Sequence, residues 1–173
     1  MSKRHLIKSY RYSIPGYPCL YLSTGLELCW FECGMPKKFN YSLFQLDVPS
    51  SQTIKLISFN RNPVDLVSSI ECWYYNKPEE RDKIDNYILK YVITHPLRAA
   101  CSVQVPERSN PFIQEYIIPQ LLLLWVRKSN DFDGIAYSSC SAIENAHEWN
   151  SFNVVFPAKE LVNGYCKRLL ELF

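Results

Sequence analysis

The sequence predicts an α+β fold built on a mixed β-sheet. Short runs of β-branched and aromatic residues, typical of strands, are interspersed with segments whose apolar residues recur at helical spacing, and the two kinds do not alternate regularly. Regular alternation would indicate a doubly wound parallel sheet. That alternative is also disfavoured because the chain has 5 glycines and no Gly-rich phosphate-binding motif. We expect residues 1–173 to form a single domain.

The first predicted elements are a strand and a short helix. Residues 19–22 are an apolar run bounded by turn-forming residues and predict the strand. Thr24 and Glu27 have the spacing of a capping box, which predicts a helix running to Cys33. Two strands joined by a short loop are predicted at residues 41–48 and 53–59.

Two helices are predicted next. Asn62 before Pro63 is typical of a helix start, and apolar residues then recur at helical spacing. A second helix begins at Pro78 and carries one apolar stripe. We predict that His95-Pro96 ends it, because the residue before a proline is disfavoured in the α region.

The rest of the chain predicts three strands and two helices. Alternating apolar and polar residues indicate the first strand, and helical spacing indicates the last helix. In chain order these elements are a strand at 99–105, a buried helix opening at Pro119 and ending near Lys128, strands at 134–137 and 153–156, and an amphipathic helix marked by Leu161, Tyr165, Leu169 and Leu172.

Composition excludes several classes of protein. The net charge is +2 and the 19 Lys and Arg are spread along the chain, which argues against nucleic-acid binding. The longest apolar run, residues 117–126, is interrupted by Pro119 and is shorter than the roughly 20 residues of a membrane span. Seven cysteines, an odd number, follow no signal-peptide pattern, so we expect a cytoplasmic protein without membrane association.

Metal and hydrolase motifs are missing. Cys29 and Cys33 stand without a second close Cys or His pair, and His5, His95 and His147 are scattered, so no metal site is predicted. The GxSxG motif of serine hydrolases is absent. Most aromatic residues have core spacing, unlike the basic aromatic face of a ribonuclease.

Two charged residues are candidates for a site. Arg11 precedes the turn at residues 13–16, where its guanidinium is able to make two parallel hydrogen bonds to a phosphate or carboxylate. Glu32 lies late in the first helix among apolar neighbours, an environment in which a carboxylate is either functional or on the solvated side. Taken alone, each residue is more often an ordinary surface charge.

Tyrosines and serines at predicted strands are the remaining candidates. Tyr21 and Tyr137 are each able to present a ring face to a planar ligand, although core packing is the commoner role of a tyrosine. Ser138 and Ser139 end a predicted strand, where a hydroxyl can bind a ribose or an amide, or can simply cap a turn.

The order of several motifs resembles that of the RES domain. RES domains typically carry an Arg before a turn with proline and glycine, an LYL strand, a later Glu, a PQLL helix, a DGI.Y.S strand and an N..F strand. The matching positions here are Arg11, Pro15-Gly16, Leu20-Tyr21-Leu22, Glu32, residues 119–122, residues 133–139 and residues 153–156. No single motif is specific, but their shared order supports the resemblance.

The resemblance implies a fold similar to that of ADP-ribosyltransferases and a toxin that depletes cellular NAD by phosphorolysis or hydrolysis. NAD is then a substrate, inorganic phosphate is a candidate co-substrate, and no cofactor is expected. Arg11 would hold the phosphates or orient the nicotinamide half, Glu32 would stabilise the ribosyl cation, and Ser139 would position the substrate. Tyr21 is the expected aromatic contact, with Tyr137 and Ser138 as further NAD-binding candidates.

Partners and alternatives follow from the same resemblance. Family members are often paired with an Xre-type antitoxin that blocks the entrance of the active site. Assembly into a homo-oligomer is a second candidate interaction. The first alternative function is transfer of ADP-ribose to a macromolecule, which would use the same site. The second is a non-catalytic binding module that kept the fold. The chain is either a compact family member or part of a longer protein.

Overall fold

A mixed sheet of four strands forms the centre of the structure. The strands are β1 (Cys19–Ser23), β2 (Leu56–Phe59), β3 (Gly134–Tyr137) and β4 (Asn153–Pro157), in the order β1-β4-β3-β2. Strand β4 is antiparallel to both of its neighbours, whereas β2 and β3 are parallel. The structure is a computed structural model and describes residues 7–45, 53–60, 63–77, 79, 81–107, 110, 112–139, 151–162, 165–167 and 169.

Helices accompany this sheet, so the predicted α+β class is confirmed. They are α1 (Leu26–Glu32), α2 (Pro63–Asn76), α3 (Arg81–Ser102) and α4 (Ile117–Lys128), with a 3₁₀ turn at Gln114–Tyr116 before α4. Two short strands, β5 (Leu161–Val162) and β6 (Tyr165–Cys166), form a separate antiparallel pair.

The pleat of the sheet separates two apolar clusters. On one face Ile135 and Val155 are fully buried and belong to a cluster with Leu123 and Val126 of α4. The residues next to them point to the opposite face, where Ala136, Val154 and Phe156 form the second cluster. Alternate residues along a strand therefore lie on the same face of the sheet, and their neighbours lie on the other.

Ile135 gives a measure of how much this packing stabilises the fold. We expect Ile135→Ala to lower the free energy of unfolding by about 3 kcal/mol, because it leaves a cavity where the side chain is 0% exposed. Ile93→Ala on the exposed side of α3 is the matched control, with an expected change below about 0.5 kcal/mol. Urea unfolding of both variants tests this, and equal losses would contradict the assignment of the core.

Helix α3 continues through Pro96, so the predicted helix end there and the predicted strand at 99–105 are both wrong. A proline inside a helix removes one backbone hydrogen bond and costs about 3 kcal/mol. Tertiary contacts outweigh that cost: Cys101 is buried in the core, and the guanidinium of Arg11 binds the carbonyls of Cys101 and Val103 at the helix end. The alternating apolar residues do not share one side of the helix: Cys101 is buried, whereas Ala99 and Val103 are exposed.

The start of α1 also differs from the prediction. The N-cap is Gly25 and no side chain caps the helix, so the capping box of Thr24 and Glu27 is not formed. The Thr24 hydroxyl instead donates to the Phe152 carbonyl at 3.1 Å and accepts from the Phe152 amide at 2.8 Å. This exchange ties the start of α1 to the residue before β4, a long-range contact that the local sequence does not indicate.

Two further predictions need correction. Residues 41–45 form no strand, and Leu43 is 88% exposed, so this segment lacks the apolar contacts that hold a strand in a sheet. The rest of the strand predicted at 41–48 lies outside the described residues, as do Asn62 and Pro78. Helix α4, which is predicted to be buried, is instead amphipathic, with Leu121 and Trp125 exposed.

The final helix is wrong over its first half, where β5 and β6 pair instead. Asn163-Gly164 separates the two strands in the sequence, and this dipeptide is the strongest short signal for a tight hairpin turn. Positions 167 and 169 are helical, whereas Leu172 lies outside the described residues. Strands β1 to β4 match their predictions, with β2 three residues shorter at its start than predicted.

Candidate functional site

A pocket of about 430 Å³ opens at one end of the sheet, on the face that carries Ile135 and Val155. Register places Ser23, Asn153 and Tyr137 side by side there on three adjacent strands. Helix α1 and the segment before β1 form the other walls. The lining residues among those described are Ser9, Tyr10, Arg11, Tyr12, Tyr21, Leu22, Ser23, Cys29, Glu32, Cys33, Tyr116, Tyr137 and Asn153.

Glu32 is the carboxylate among the described lining residues of this pocket. The end of a helix fixes its backbone, and a hydrogen bond fixes its side chain. It is the last residue of α1, which closes in a Schellman motif: the Gly34 amide donates to the Phe31 carbonyl and the Met35 amide to the Trp30 carbonyl. Gly34 has a φ of +83°, which favours glycine. The side chain then accepts a hydrogen bond at 3.1 Å from Nδ2 of Asn153.

Asn153 is a site residue that the individual sequence candidates missed. It is 5% exposed and begins β4, where neighbouring strands hold its backbone on both sides. Its amide donates to Oε1 of Glu32, so it holds the carboxylate against the end of the sheet while Glu32 itself stays exposed. The N..F motif at residues 153–156 includes this asparagine and was the sequence signal that could have identified it. The motif does not indicate its contact with Glu32, which lies 121 positions away.

Arg11 lies in the same pocket and is anchored to the end of α3. Its Nη1 donates to the Cys101 carbonyl at 2.9 Å and its Nη2 to the Val103 carbonyl at 2.6 Å. The guanidinium also lies 5.4 Å from the centroid of the Tyr116 ring. The C-terminal end of a helix leaves carbonyls unpaired and carries partial negative charge, which a guanidinium complements. Two of its five N–H donors serve this purpose.

Five of the described residues that line the pocket with Arg11 and Glu32 are tyrosines. They are Tyr10, Tyr12, Tyr21, Tyr116 and Tyr137. The rings of Tyr12 and Tyr137 are in contact, with centroids 4.6 Å apart. Tyr21 is 40% exposed, but its hydroxyl end lies near Ser13, which is buried. Burial, together with the neighbouring Cys19 and Tyr137, raises the pKa of Tyr21 well above its ordinary value, so its hydroxyl stays protonated.

The six sequence candidates are therefore divided by the structure. Arg11, Glu32, Tyr21 and Tyr137 line one pocket. Ser138 and Ser139 follow β3 and are not among the described lining residues; the Ser138 hydroxyl donates to the Asn60 carbonyl at 3.1 Å. Strand alternation would place Ser139, not Ser138, on the side of Tyr137. The chemical roles of all six stay predictions.

A second cavity, of about 510 Å³, is basic and differs in character. Five cations and three acids line it among the described residues: Lys55, Arg127, Lys128, Lys159, Lys167, Asp131, Asp133 and Glu160. The Lys159 ammonium already donates to the carbonyls of Ser129 and Phe132, and no aromatic ring is among the lining residues described. The first pocket, lined by Arg11, Glu32 and the five tyrosines and called the tyrosine pocket below, is therefore the better candidate for a planar organic ligand.

The comparisons with known proteins give one relative. No family model and no solved structure matches the chain. The sequence is similar to "Putative toxin YopC" of Bacillus subtilis (strain 168), with 33% identity over 180 aligned residues that take in 99% of this chain. They take in 39% of the relative, so this chain spans about two fifths of its length. In the described part of the chain, no helix combines the length and apolarity that a bilayer crossing requires.

Proposed function

We propose that this protein is a toxin that cleaves the bond between nicotinamide and ribose in NAD. The observation that carries the proposal is the convergence of Glu32, Arg11 and five tyrosines on one pocket of about 430 Å³. That volume lies within the roughly 300–1,000 Å³ of small-molecule sites. A pocket with aromatic walls suits a flat cationic ring, and a carboxylate suits the attached sugar, on which positive charge develops during the reaction.

The chemistry of the reaction matches these groups. The nicotinamide ring of NAD carries a positive charge and leaves as a neutral molecule, because the electron pair of the bond to C1′ goes to the ring nitrogen. No acid is needed to protonate it, and the barrier lies in the positive charge that develops on the ribose. A carboxylate next to that charge stabilises the transition state, as in glycosidases. We assign this role to Glu32, held by Asn153.

The other pocket residues contribute to the binding of NAD. Tyr21 and Tyr137 offer ring faces to the nicotinamide, and Arg11 has three N–H donors beyond those that bind α3 for the phosphates. An oxygen of water or of inorganic phosphate then forms the new bond to C1′, the anomeric carbon (C1″ of ADP-ribose), and loses its proton to solvent, giving ADP-ribose or its 1″-phosphate. Ser139 stays the proposed substrate-positioning hydroxyl.

The similarity to a protein named as a toxin supports the biological side of the proposal. A cell that contains an enzyme of this kind must restrain it, and the RES-like motifs imply an Xre-type antitoxin as the restraining partner. We place its docking site at the mouth of the tyrosine pocket, where it would exclude NAD. This chain spans 39% of the relative. Any substrate or partner of a whole protein of that length is therefore also part of this proposal.

Incubation of the purified protein with NAD tests the activity. Nicotinamide release is measured by chromatography with and without inorganic phosphate, and with and without cell lysate. Release only with phosphate indicates phosphorolysis, and release without it indicates hydrolysis. Release only with lysate, accompanied by labelled protein, indicates ADP-ribosyl transfer. No release under any of these conditions would contradict the proposed cleavage.

Cysteine labelling tests where NAD binds without relying on turnover. Cys29 and Cys33 line the pocket, so NAD at ten times its dissociation constant should slow their reaction with iodoacetamide by about tenfold. Burial, Cys33 and Glu32 raise the pKa of Cys29, so Cys29 should react more slowly at pH 8 than a thiol of ordinary pKa, even without NAD.

Cys72 is the control for this experiment, because it is exposed on α2 and outside the described pocket. Cys19 provides an internal slow reference, since burial raises its pKa to about 11. Mass spectrometry of the labelled peptides gives each rate. Equal slowing at Cys72 and Cys33, or no slowing at Cys33 while NAD is bound, would place the ligand elsewhere.

A further inference from the structure

The segment that carries Arg11 is a tight turn outside the central sheet. Tyr10 and Ser13 exchange two backbone hydrogen bonds, each 3.1 Å long, which close the turn and leave Arg11 and Tyr12 at its two central positions. Both central side chains line the pocket. Because no strand of the four-stranded sheet includes this turn, its position must be set by side-chain contacts.

Gln120 of α4 supplies such a contact. Its Nε2 lies 2.9 Å from Oγ of Ser9, 3.0 Å from the Tyr10 carbonyl and 3.0 Å from the Ser13 carbonyl. A backbone carbonyl only accepts hydrogen bonds, so the amide must present its NH₂ group to the turn. One side chain therefore binds both carbonyls that close the turn, across more than 100 positions of the chain.

The packing of α4 in the core makes Gln120 a fixed point. Leu123 and Val126 are 2% and 0% exposed in the core, and Pro119 next to Gln120 is also buried. A donor on such a helix has little freedom to follow a displaced turn. Gln120 is not among the described residues that line the pocket, so any effect on a ligand has to pass through the turn.

We propose that Gln120 is a positioning residue that sets Arg11 and Tyr12 in the wall of the pocket. Tyr12 packs in the core with Leu123 and Val126 of α4, so the turn keeps an apolar contact with this helix. Without the donors of Gln120, however, the turn loses its hydrogen bonds to α4, and the guanidinium of Arg11 no longer meets the carbonyls at the end of α3. The Tyr12 ring would also shift against Tyr137, which it contacts at a centroid distance of 4.6 Å. The effect on NAD rests on the proposed function, whereas the effect on the turn does not.

Three variants separate the donors of Gln120 from its bulk. Gln120→Met keeps an unbranched chain of similar length but cannot donate, so we expect NAD binding, measured by calorimetry, to weaken about tenfold. Gln120→Lys offers an ammonium to the same three oxygens, and we expect it to recover most of the affinity. Gln114→Met, at an exposed glutamine before α4, is the matched control and should bind like the parent.

Non-additivity distinguishes positioning from a general loss of stability. If Gln120 acts through Arg11, Gln120→Met should change the affinity little once Arg11 is replaced by Lys. Urea unfolding of each variant confirms that the protein is folded at the assay temperature. Equal effects of Gln120→Met in the two backgrounds would overturn the link to Arg11.

A crystal structure of Gln120→Met tests the proposal independently of NAD. We expect Nη2 of Arg11 to lie beyond hydrogen-bond distance of the Val103 carbonyl, which it contacts at 2.6 Å in the parent. An unmoved turn would overturn the proposal whether or not NAD binds. A displaced turn in a protein whose parent binds no NAD would uphold the positioning role and refute the proposed function.

Discussion

Replacing Glu32 by Gln should lower the rate of nicotinamide release by about a hundredfold or more. The amide keeps the shape of the side chain and can still accept the hydrogen bond from Asn153, but it carries no charge to stabilise the ribosyl cation. Because that charge develops only as the bond breaks, the dissociation constant for NAD should change by no more than a few fold. Stopped assays at saturating NAD measure the rate, and calorimetry measures the affinity.

Glu27→Gln is the matched control for this variant. Glu27 lies in the first turn of α1, is exposed and is not among the described residues of the pocket, so the same change of charge should leave the rate within about twofold of the parent. If Glu32→Gln were as fast as the parent, Glu32 would have no part in the chemistry. If Glu27→Gln were equally slow, the effect would come from the net charge of α1.

Arg11→Lys should weaken NAD binding by between about tenfold and a hundredfold. A lysine keeps the positive charge but lacks the planar fork, so it cannot bind the carbonyls of Cys101 and Val103 and a phosphate together. The loss should therefore be larger in the dissociation constant than in the turnover at saturating NAD. It should also lower the free energy of unfolding, because the end of α3 loses two hydrogen bonds.

Arg81→Lys controls for the structural part of that effect. Its guanidinium makes a similar set of contacts at the other end of α3: it binds the Tyr74 carbonyl and lies 4.4 Å from the centroid of the Tyr74 ring. Arg81 is not among the described lining residues of the pocket, so its replacement should affect stability and not NAD affinity. Equal losses of affinity in the two variants would argue that Arg11 acts only through α3.

Local patterns predicted the strands that frame the site because their signal is itself local. Residues 134–137 and 153–156 are short apolar runs bounded by polar residues, and both became strands of the sheet core. Arg11, Glu32, Tyr21 and Tyr137 were identified from their motifs and lie in one pocket.

Long-range contacts explain what the sequence did not predict. Pro96 is a local stop signal, yet α3 passes through it because the guanidinium of Arg11 and the burial of Cys101 hold the helix end. The contact of Asn153 with Glu32 and that of Gln120 with the turn join positions more than 100 residues apart. Each of these residue types is common in ordinary surface roles, so only the fold reveals what it contacts.

The location of bound NAD in a crystal of the Glu32→Gln variant tests the central claim most directly, because this slow variant should retain uncleaved ligand. We predict the nicotinamide ring against Tyr21 and Tyr137, with C1′ of its ribose facing the side chain at position 32. NAD bound instead in the basic cavity beside Lys55 and Lys159, with the tyrosine pocket empty at saturating NAD, would contradict the account.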